Sequence, residues 1–153
     1  MDKLTVFERK EIRQIEHNGE ICLEVRKELT DEWKQRDVKE GQEFSILTAT
    51  IAKETFGLNP SEHSKLKGLK KHNLRDHMTE MELIFTMLSE SATRSIAVRD
   101  DAQGFNENHD AAIRGGSATG EARRSFEEKM GLKVVSSDNF LGMKAGDKTD
   151  ALE

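Results

Sequence analysis

Histidine is the residue type in this chain best suited to hold a metal ion or to move a proton. The chain contains five histidines, His17, His63, His72, His77 and His109. A zinc site of the HExxH type needs two imidazoles four residues apart on one helical face, and no two of these histidines have that spacing. Because Cys22 is the only cysteine, an internal disulfide and a cysteine zinc cluster are also excluded. We therefore predict no metal site and no other cofactor.

The glycine-rich run GGSATG, residues 115–120, is the second candidate for chemistry. A glycine-rich loop can cradle phosphates, but this run precedes no Lys-Ser or Lys-Thr pair and follows no predicted strand, so it fits neither nucleotide-binding template. Two interpretations remain. Either the run is a loop that splits a helix, or the helix is continuous and Ala112, Gly116 and Gly120 form a row of small residues. Such a row lets another helix approach closely, within one chain or between two, and that packing must offset about 1 kcal/mol per glycine.

Nucleophilic and acid–base catalysis also lack a recognisable set of residues. Ser64, Ser91 and Ser117 lie outside any nucleophile-elbow motif. Paired acids such as Asp100 and Asp101 are adjacent in sequence, so on a helix they point apart and face solvent. The sequence therefore predicts a protein that is not an enzyme.

The basic segment runs from position 65 to position 75 and has five cationic side chains and no acid. They are Lys65, Lys67, Lys70, Lys71 and Arg75. Phe, Tyr and Trp, which stack on bases, are absent from the segment, so contact with nucleic acid would be weak and independent of base sequence. A formal net charge of -5 also excludes attraction of nucleic acid to the whole surface. We interpret the segment as a solvated face and keep phosphate contact by its five cations as the alternative.

Composition limits the size and location of the protein. A chain of 153 residues is enough for one domain, and 35% hydrophobic residues leave a modest core, which favours burial against a second copy in a homodimer. No apolar run approaches the roughly 20 residues that a membrane span needs. A single cysteine favours a reducing compartment. We expect a cytoplasmic protein that does not cross a membrane.

The N-terminal segment predicts a β-hairpin. Asn18 and Gly19 both tolerate positive φ and separate two runs that contain apolar residues, and Ile21, Leu23 and Val25 alternate as one face of a strand would. The competing interpretation is a helix from Glu8 to His17.

The rest of the chain predicts helices. Thr30 is the expected N-cap of a first helix that ends near Val38, and Thr79 with Glu82 forms a capping box for the longest apolar helix. The predicted helices cover residues 31–38, 43–56 with Gly57 as the stop, a short segment after Pro60, 80–88, 92–98, and 107–130 between Asn106 and Gly131. The predicted fold is mainly α, a compact bundle of five to six helices after a short N-terminal hairpin.

The helix after Thr79 is apolar on more than one face, which is typical of a helix that is buried on most sides. It and the small-residue row give the predicted interface of the homodimer. The interface residues are Met81, Ile84, Phe85, Leu88, Ala112, Gly116 and Gly120.

Five segments carry a family resemblance in a fixed order. They are RKELTDEW, LKGLKKHNLRDHMTEMELIFTML, DAQGFNEN, GGSATGEAR and VVSSDNFL. Together they resemble the C-terminal half of BRO-family phage antirepressor-like proteins and of DNA-damage-inducible protein D, from about Glu24 to Leu141. The resemblance implies a regulatory protein of a prophage or another mobile element, acting in antirepression or in the SOS response to DNA damage. Its partner would be a repressor, a recombinase or a defence protein.

The sequence departs from this family at its N-terminus. The family's BRO domain is thought to bind DNA, and VFERKEIRQIEHNGEIC resembles only its opening hairpin, so that DNA binding is not carried over. The resemblance assigns no catalytic or binding residue. We predict a hairpin remnant at 1–25, a helical domain like that of DNA-damage-inducible protein D at 26–141, and a flexible tail at 142–153. A deletion remnant without a function of its own is the remaining alternative.

Overall fold

The fold was determined as a computed structural model, which describes residues 5–141 without the side chains at positions 7, 8, 11, 12, 14 and 15. The described residues contain five α-helices, one short 3₁₀ helix and no β-strand. The helices are α1 (Val6–Gln35), α2 (Gln42–Phe56), α3 (Pro60–Leu66), the 3₁₀ helix (Leu74–His77), α4 (Glu80–Arg99) and α5 (Gly104–Met130). The mainly helical prediction is confirmed for these residues, whereas the predicted hairpin is wrong.

Helix α1 replaces the predicted hairpin. Gly19 has helical backbone rather than a positive φ, and α1 continues through it. Asn18, Cys22, Leu29 and Trp33 are buried along one side of α1, because they recur at the spacing of an α-helix. Burial of this stripe against distant helices outweighs the local turn signal. The predicted domain boundary between residues 25 and 26 falls inside α1.

The main apolar core joins three helices. Leu29 and Trp33 of α1 pack with Leu47 and Ile51 of α2 and with Ala112 of α5. Helix α5 lies along both α2 and α4, and α4 also packs against α1. The four long helices therefore share one interior, and the short helices and the segment after α5 close one end of it.

Several helix ends match the prediction because their signals are local. Gly57 ends α2 with a φ of 77°, and Gly131 ends α5 with a φ of 69°. The Asn59 side chain caps α3, where Pro60 occupies the first turn. Thr79 Oγ1 accepts a hydrogen bond from the N–H of Glu82 at 3.3 Å, and Glu82 Oε1 accepts from the N–H of Thr79 at 2.8 Å. The capping box of α4 is confirmed.

Other helix ends were predicted wrongly. Thr30 is not an N-cap, since it lies within α1 and its hydroxyl donates to the carbonyl of Lys27 at 3.1 Å. The segments 80–88 and 92–98 belong to the single helix α4. Helix α5 begins at Gly104, three residues before the predicted start, and continues through the glycine-rich run. The predicted tail at 142–153 lies outside the described residues.

Candidate interaction site

The predicted row of small residues lies inside the protein. Ala112 is fully buried, and a Cβ added to Gly120 would overlap the carbonyl oxygen of Glu54 in α2. At Gly116 the added Cβ would lie 2.7 Å from the Cβ of Glu54. The row therefore receives α2 of the same chain, and the prediction that Ala112, Gly116 and Gly120 form an interface with a second copy is wrong.

The predicted apolar interface of α4 divides into two sets. Phe85 is 6% exposed and packs with Phe56 and Val134, while Met81 packs partly against the same cluster. In contrast, Ile84 and Leu88 are 39% and 48% exposed. Only these last two face solvent and remain available to a partner.

Ile84 and Leu88 belong to an uncharged row on the outer side of α4, which we call the α4 row. It continues through Ser91 and Ser95, both exposed, to Val98, which is 47% exposed. The spacing of four, three, four and three residues places these five side chains on one helical face. No charged residue interrupts the row, although 35% of the chain is charged. A continuous uncharged strip on such a surface is a candidate contact for another protein.

The basic segment is not one continuous charged face. The side chain of Lys67 is 0% exposed and its Nζ lies 2.6 Å from Glu82 Oε1. Arg75 is also turned inward, where it donates to Glu90 Oε2 at 2.6 Å. Neither cation can reach a phosphate without breaking a buried ion pair, which corrects two members of the predicted phosphate-binding set. Lys65, Lys70 and Lys71 are exposed.

Glu82 is the centre of a buried polar cluster between α3 and α4. Its Oε2 lies 2.7 Å from Nε2 of His63, and its Oε1 accepts from the ammonium of Lys67. The backbone N–H groups of Thr79 and Ser136 donate to the same carboxylate at 2.8 and 3.0 Å. Four partners satisfy the acceptor capacity of this carboxylate.

These partners also determine the protonation of Glu82. Burial alone would raise the pKa of this carboxyl, but the hydrogen bonds from His63, Lys67, Ser136 and Thr79 outweigh burial and lower its pKa to about 2. Glu82 is therefore ionised at neutral pH, and its charge is matched by the buried ammonium of Lys67. The cluster binds and positions the segment that contains Ser136 rather than exposing an acid or a base to solvent.

Residues 134–140, which we call the strap, follow α5 and lie across this cluster. The strap is neither helix nor strand, and side chains from several elements hold its backbone. The N–H groups of residues 134, 136 and 140 donate to Glu127, Glu82 and His77 at 2.9, 3.0 and 3.0 Å, and the carbonyl of residue 138 accepts from Lys67 at 2.8 Å. The strap therefore closes the end of the bundle over two buried charges.

A second buried cluster joins α1 to α4. Glu90 Oε2 accepts from Arg26 at 3.2 Å and from Arg75 at 2.6 Å, and its other oxygen is buried without a hydrogen-bond partner in the described structure. Arg26 also donates to Thr48 of α2 and lies 5.3 Å from the ring centre of Trp33. The Glu90 carboxylate of α4 thus binds the guanidinium groups of Arg26 in α1 and Arg75 in the 3₁₀ helix, and so connects these three elements.

Cys22 lies beside this second cluster, where Arg75 donates to its sulfur at 2.7 Å. Burial raises the pKa of the Cys22 thiol, and the nearby arginine charge does not reverse that shift. The thiol is fully buried and neutral, which is the state of a structural cysteine rather than a nucleophile.

The described residues show neither a metal site nor a membrane helix. Among residues 5–141, no three His, Cys, Asp or Glu side chains are grouped so as to hold a metal ion. No helix in the same range combines the length and the apolar character needed to cross a bilayer.

Sequence reasoning missed the two buried clusters. Glu82 and Glu90 are eight residues apart in α4, so they lie on one side of the helix. This shared side was the one sequence feature that could have indicated that both carboxylates are buried. No comparable signal in the sequence relates Lys67 or Glu127 to the strap.

No protein-family model matches the chain, and neither a curated protein nor a solved structure matches it.

Proposed function

We propose that this protein is a non-enzymatic regulatory module that binds a protein partner through the α4 row. The order of the five resembling segments supports a regulatory role in a prophage or another mobile element, with a repressor, recombinase or defence protein as the partner. The single observation that carries the proposal is the uncharged strip from Ile84 to Val98 on a highly charged surface.

The buried clusters support the same proposal indirectly. They attach α4 to α1 through Glu90 and to α3 through Glu82, so the outer face of α4 is presented on a fixed helix. A fixed uncharged strip loses little conformational freedom when it binds, which favours recognition of another protein. The inward orientation of Lys67 and Arg75 leaves no comparable argument for nucleic-acid binding.

Substitution of one residue in the row tests this proposal. Leu88→Asp places a charge at the middle of the strip, where the side chain is 48% exposed, so folding should be retained. Ile46→Asp is the matched control, because Ile46 is 41% exposed on α2. The wild type and both variants would serve as bait in host lysate, followed by affinity measurements with the purified partner.

We expect one protein to bind the wild type and Ile46→Asp equally and to bind Leu88→Asp at least about 30-fold more weakly, the loss typical of an interface hot spot. Equal recovery of every bound protein by Leu88→Asp and the wild type would overturn the proposal. So would equal losses in both variants, because the effect would not then depend on the α4 row.

A further inference from the structure

The contacts to the strap follow a two-residue period. The bound backbone groups belong to residues 134, 136, 138 and 140, and the bonds come from side chains rather than from a neighbouring strand. The strap also contains two local turns, because the N–H of Asp138 donates to Ser136 Oγ at 3.0 Å and the N–H of Leu141 donates to Asn139 Oδ1 at 3.1 Å. The body of the protein therefore binds the backbone of a bent segment through side chains, as a peptide-binding site holds its ligand.

The side chains that bind the strap complement its backbone groups in hydrogen-bonding type. Three acceptors, Glu127, Glu82 and His77, meet N–H groups, and the donor Lys67 meets a carbonyl. These four side chains come from α5, α4, the 3₁₀ helix and the residue after α3. We call the surface that they form beneath the strap the channel.

Two strap side chains add sequence selectivity. Val134 is 2% exposed in an apolar pocket with Phe56 and Phe85. At the other end, Phe140 stacks on His77 with ring centres 6.5 Å apart. The channel thus selects a segment with a small apolar residue at its start and an aromatic residue six positions later.

The connection to α5 allows this segment to leave its own channel. Gly131 ends α5 with a φ of 69°, and residues 131–133 are all exposed, with Leu132 at 45%. Opening at this hinge breaks no helix. A second copy of the chain carries the same segment on the same hinge, so exchange would recreate every strap contact between two molecules.

We propose that residues 134–140 occupy a peptide-binding channel that can exchange its occupant for the same segment of a second copy, giving a homodimer by strap exchange. This inference is independent of the α4 row. The attached strap competes at an effective concentration in the millimolar range, so the wild type keeps its own strap at micromolar concentration. A shortened hinge removes that advantage and favours exchange.

Deletion of residues 132–133 tests the exchange directly, because it shortens the hinge by about 7 Å. We expect light scattering to give a mass near twice the 17.3 kDa of one chain. Adding Val134→Asp to the deletion should restore the monomer, since the pocket beside Phe56 and Phe85 does not accept a carboxylate. A deletion variant that stays monomeric, or a dimer that persists with Val134→Asp, would overturn the proposal.

A second measurement decides the matter if the deletion variant aggregates. Full-length protein with Val134→Asp alone should release its strap and leave the channel open, and circular dichroism would verify its helix content. We expect it to bind a fluorescein-labelled peptide of residues 132–141 at least about tenfold more tightly than the wild type does. The same peptide with Asp at position 134 is the control and should not bind. Equal binding of the unmodified peptide by both proteins, or no binding by either, would refute a peptide-binding channel.

Discussion

Gly115 provides the sharpest test of how α5 packs against α4. A Cβ at this position would lie 2.8 Å from the backbone nitrogen and 2.9 Å from the Cα of Thr93, whereas ordinary contact begins at 3.4 Å. Backbone atoms cannot swing aside, so Gly115→Ala must push the two helices apart by about 0.5 Å. Overpacking costs about 1–3 kcal/mol, and overlap with backbone atoms places this site in the upper part of that range, at about 2–3 kcal/mol. The better helix propensity of Ala returns about 1 kcal/mol. We expect a net loss of about 1–2 kcal/mol in the free energy of unfolding.

Urea denaturation followed by circular dichroism would measure this loss, together with a fall in Tm of roughly 2–8 °C. Gly19→Ala is the matched control, because Gly19 lies inside α1 and its added Cβ would meet no atom within 4 Å. That variant should be more stable than the wild type by about 0.4–1 kcal/mol. A stable Gly115→Ala protein would refute the close crossing. A destabilised Gly19→Ala protein would refute the helix at Asn18 and favour a turn that needs positive φ.

Two further predictions concern the buried charges. The pKa of Glu82 in the folded state is lowered to about 2. The contribution of Glu82 to the free energy of unfolding is therefore complete above the ordinary carboxyl range and is lost as pH falls from about 4.5 towards 2. Chemical denaturation at a series of pH values should show a loss of up to about 3 kcal/mol over that window in the wild type and a flatter profile for Glu82→Gln; identical profiles would contradict the assignment. Glu90→Ala should cost about 3–5 kcal/mol by leaving two inward arginines without their carboxylate, whereas loss of the exposed pair between Lys27 and Asp31 in Asp31→Ala should cost less than about 1 kcal/mol. Equal costs of these two substitutions in urea denaturation would exclude a special role for the buried pair.

The parts of the fold that could be predicted from the sequence are those whose cause is local. A capping box needs only the four residues from Thr79 to Glu82, and a left-handed glycine such as Gly57 ends a helix wherever it occurs. Such signals predicted α2, α3, the start of α4 and the end of α5. They do not depend on which helix packs against which.

The hairpin prediction failed because a local signal competed with distant packing. The alternation of Ile21 and Leu23 is typical of a strand, yet the two are 38% and 56% exposed. The stripe that matters contains Cys22, Leu29 and Trp33, and its burial needs α2 and α4, which lie later in the chain. The sequence holds both patterns, and only the tertiary contacts select one.

The candidate site was predictable in residue type but not in orientation. The spacing of Ala112, Gly116 and Gly120 left a loop and a close helix crossing both open, and the structure shows the crossing. Spacing alone also does not identify α2 of the same chain as the neighbour. Lys67 reads as a surface cation because its environment depends on Glu82 and on strap residue Asp138, which is 71 positions away. In the predicted α4 interface, Phe85 is buried whereas Ile84 and Leu88 are exposed. The sequence did not distinguish these core and surface positions, because the helix is apolar on more than one face.

The long sequence separation of the strap contacts also has a kinetic consequence. The bonds from Ser136 to Glu82 and from Asn139 to Lys67 close loops of 54 and 72 residues, and such closures are slow and entropically costly. We expect the strap to dock after the folding barrier is crossed. A substitution such as Asn139→Ala should then accelerate unfolding while leaving the folding rate nearly unchanged, which stopped-flow chevron plots would measure. The strap contacts would slow unfolding without changing the folding rate, so the lifetime of the native state would depend on residues that do not affect how fast it forms.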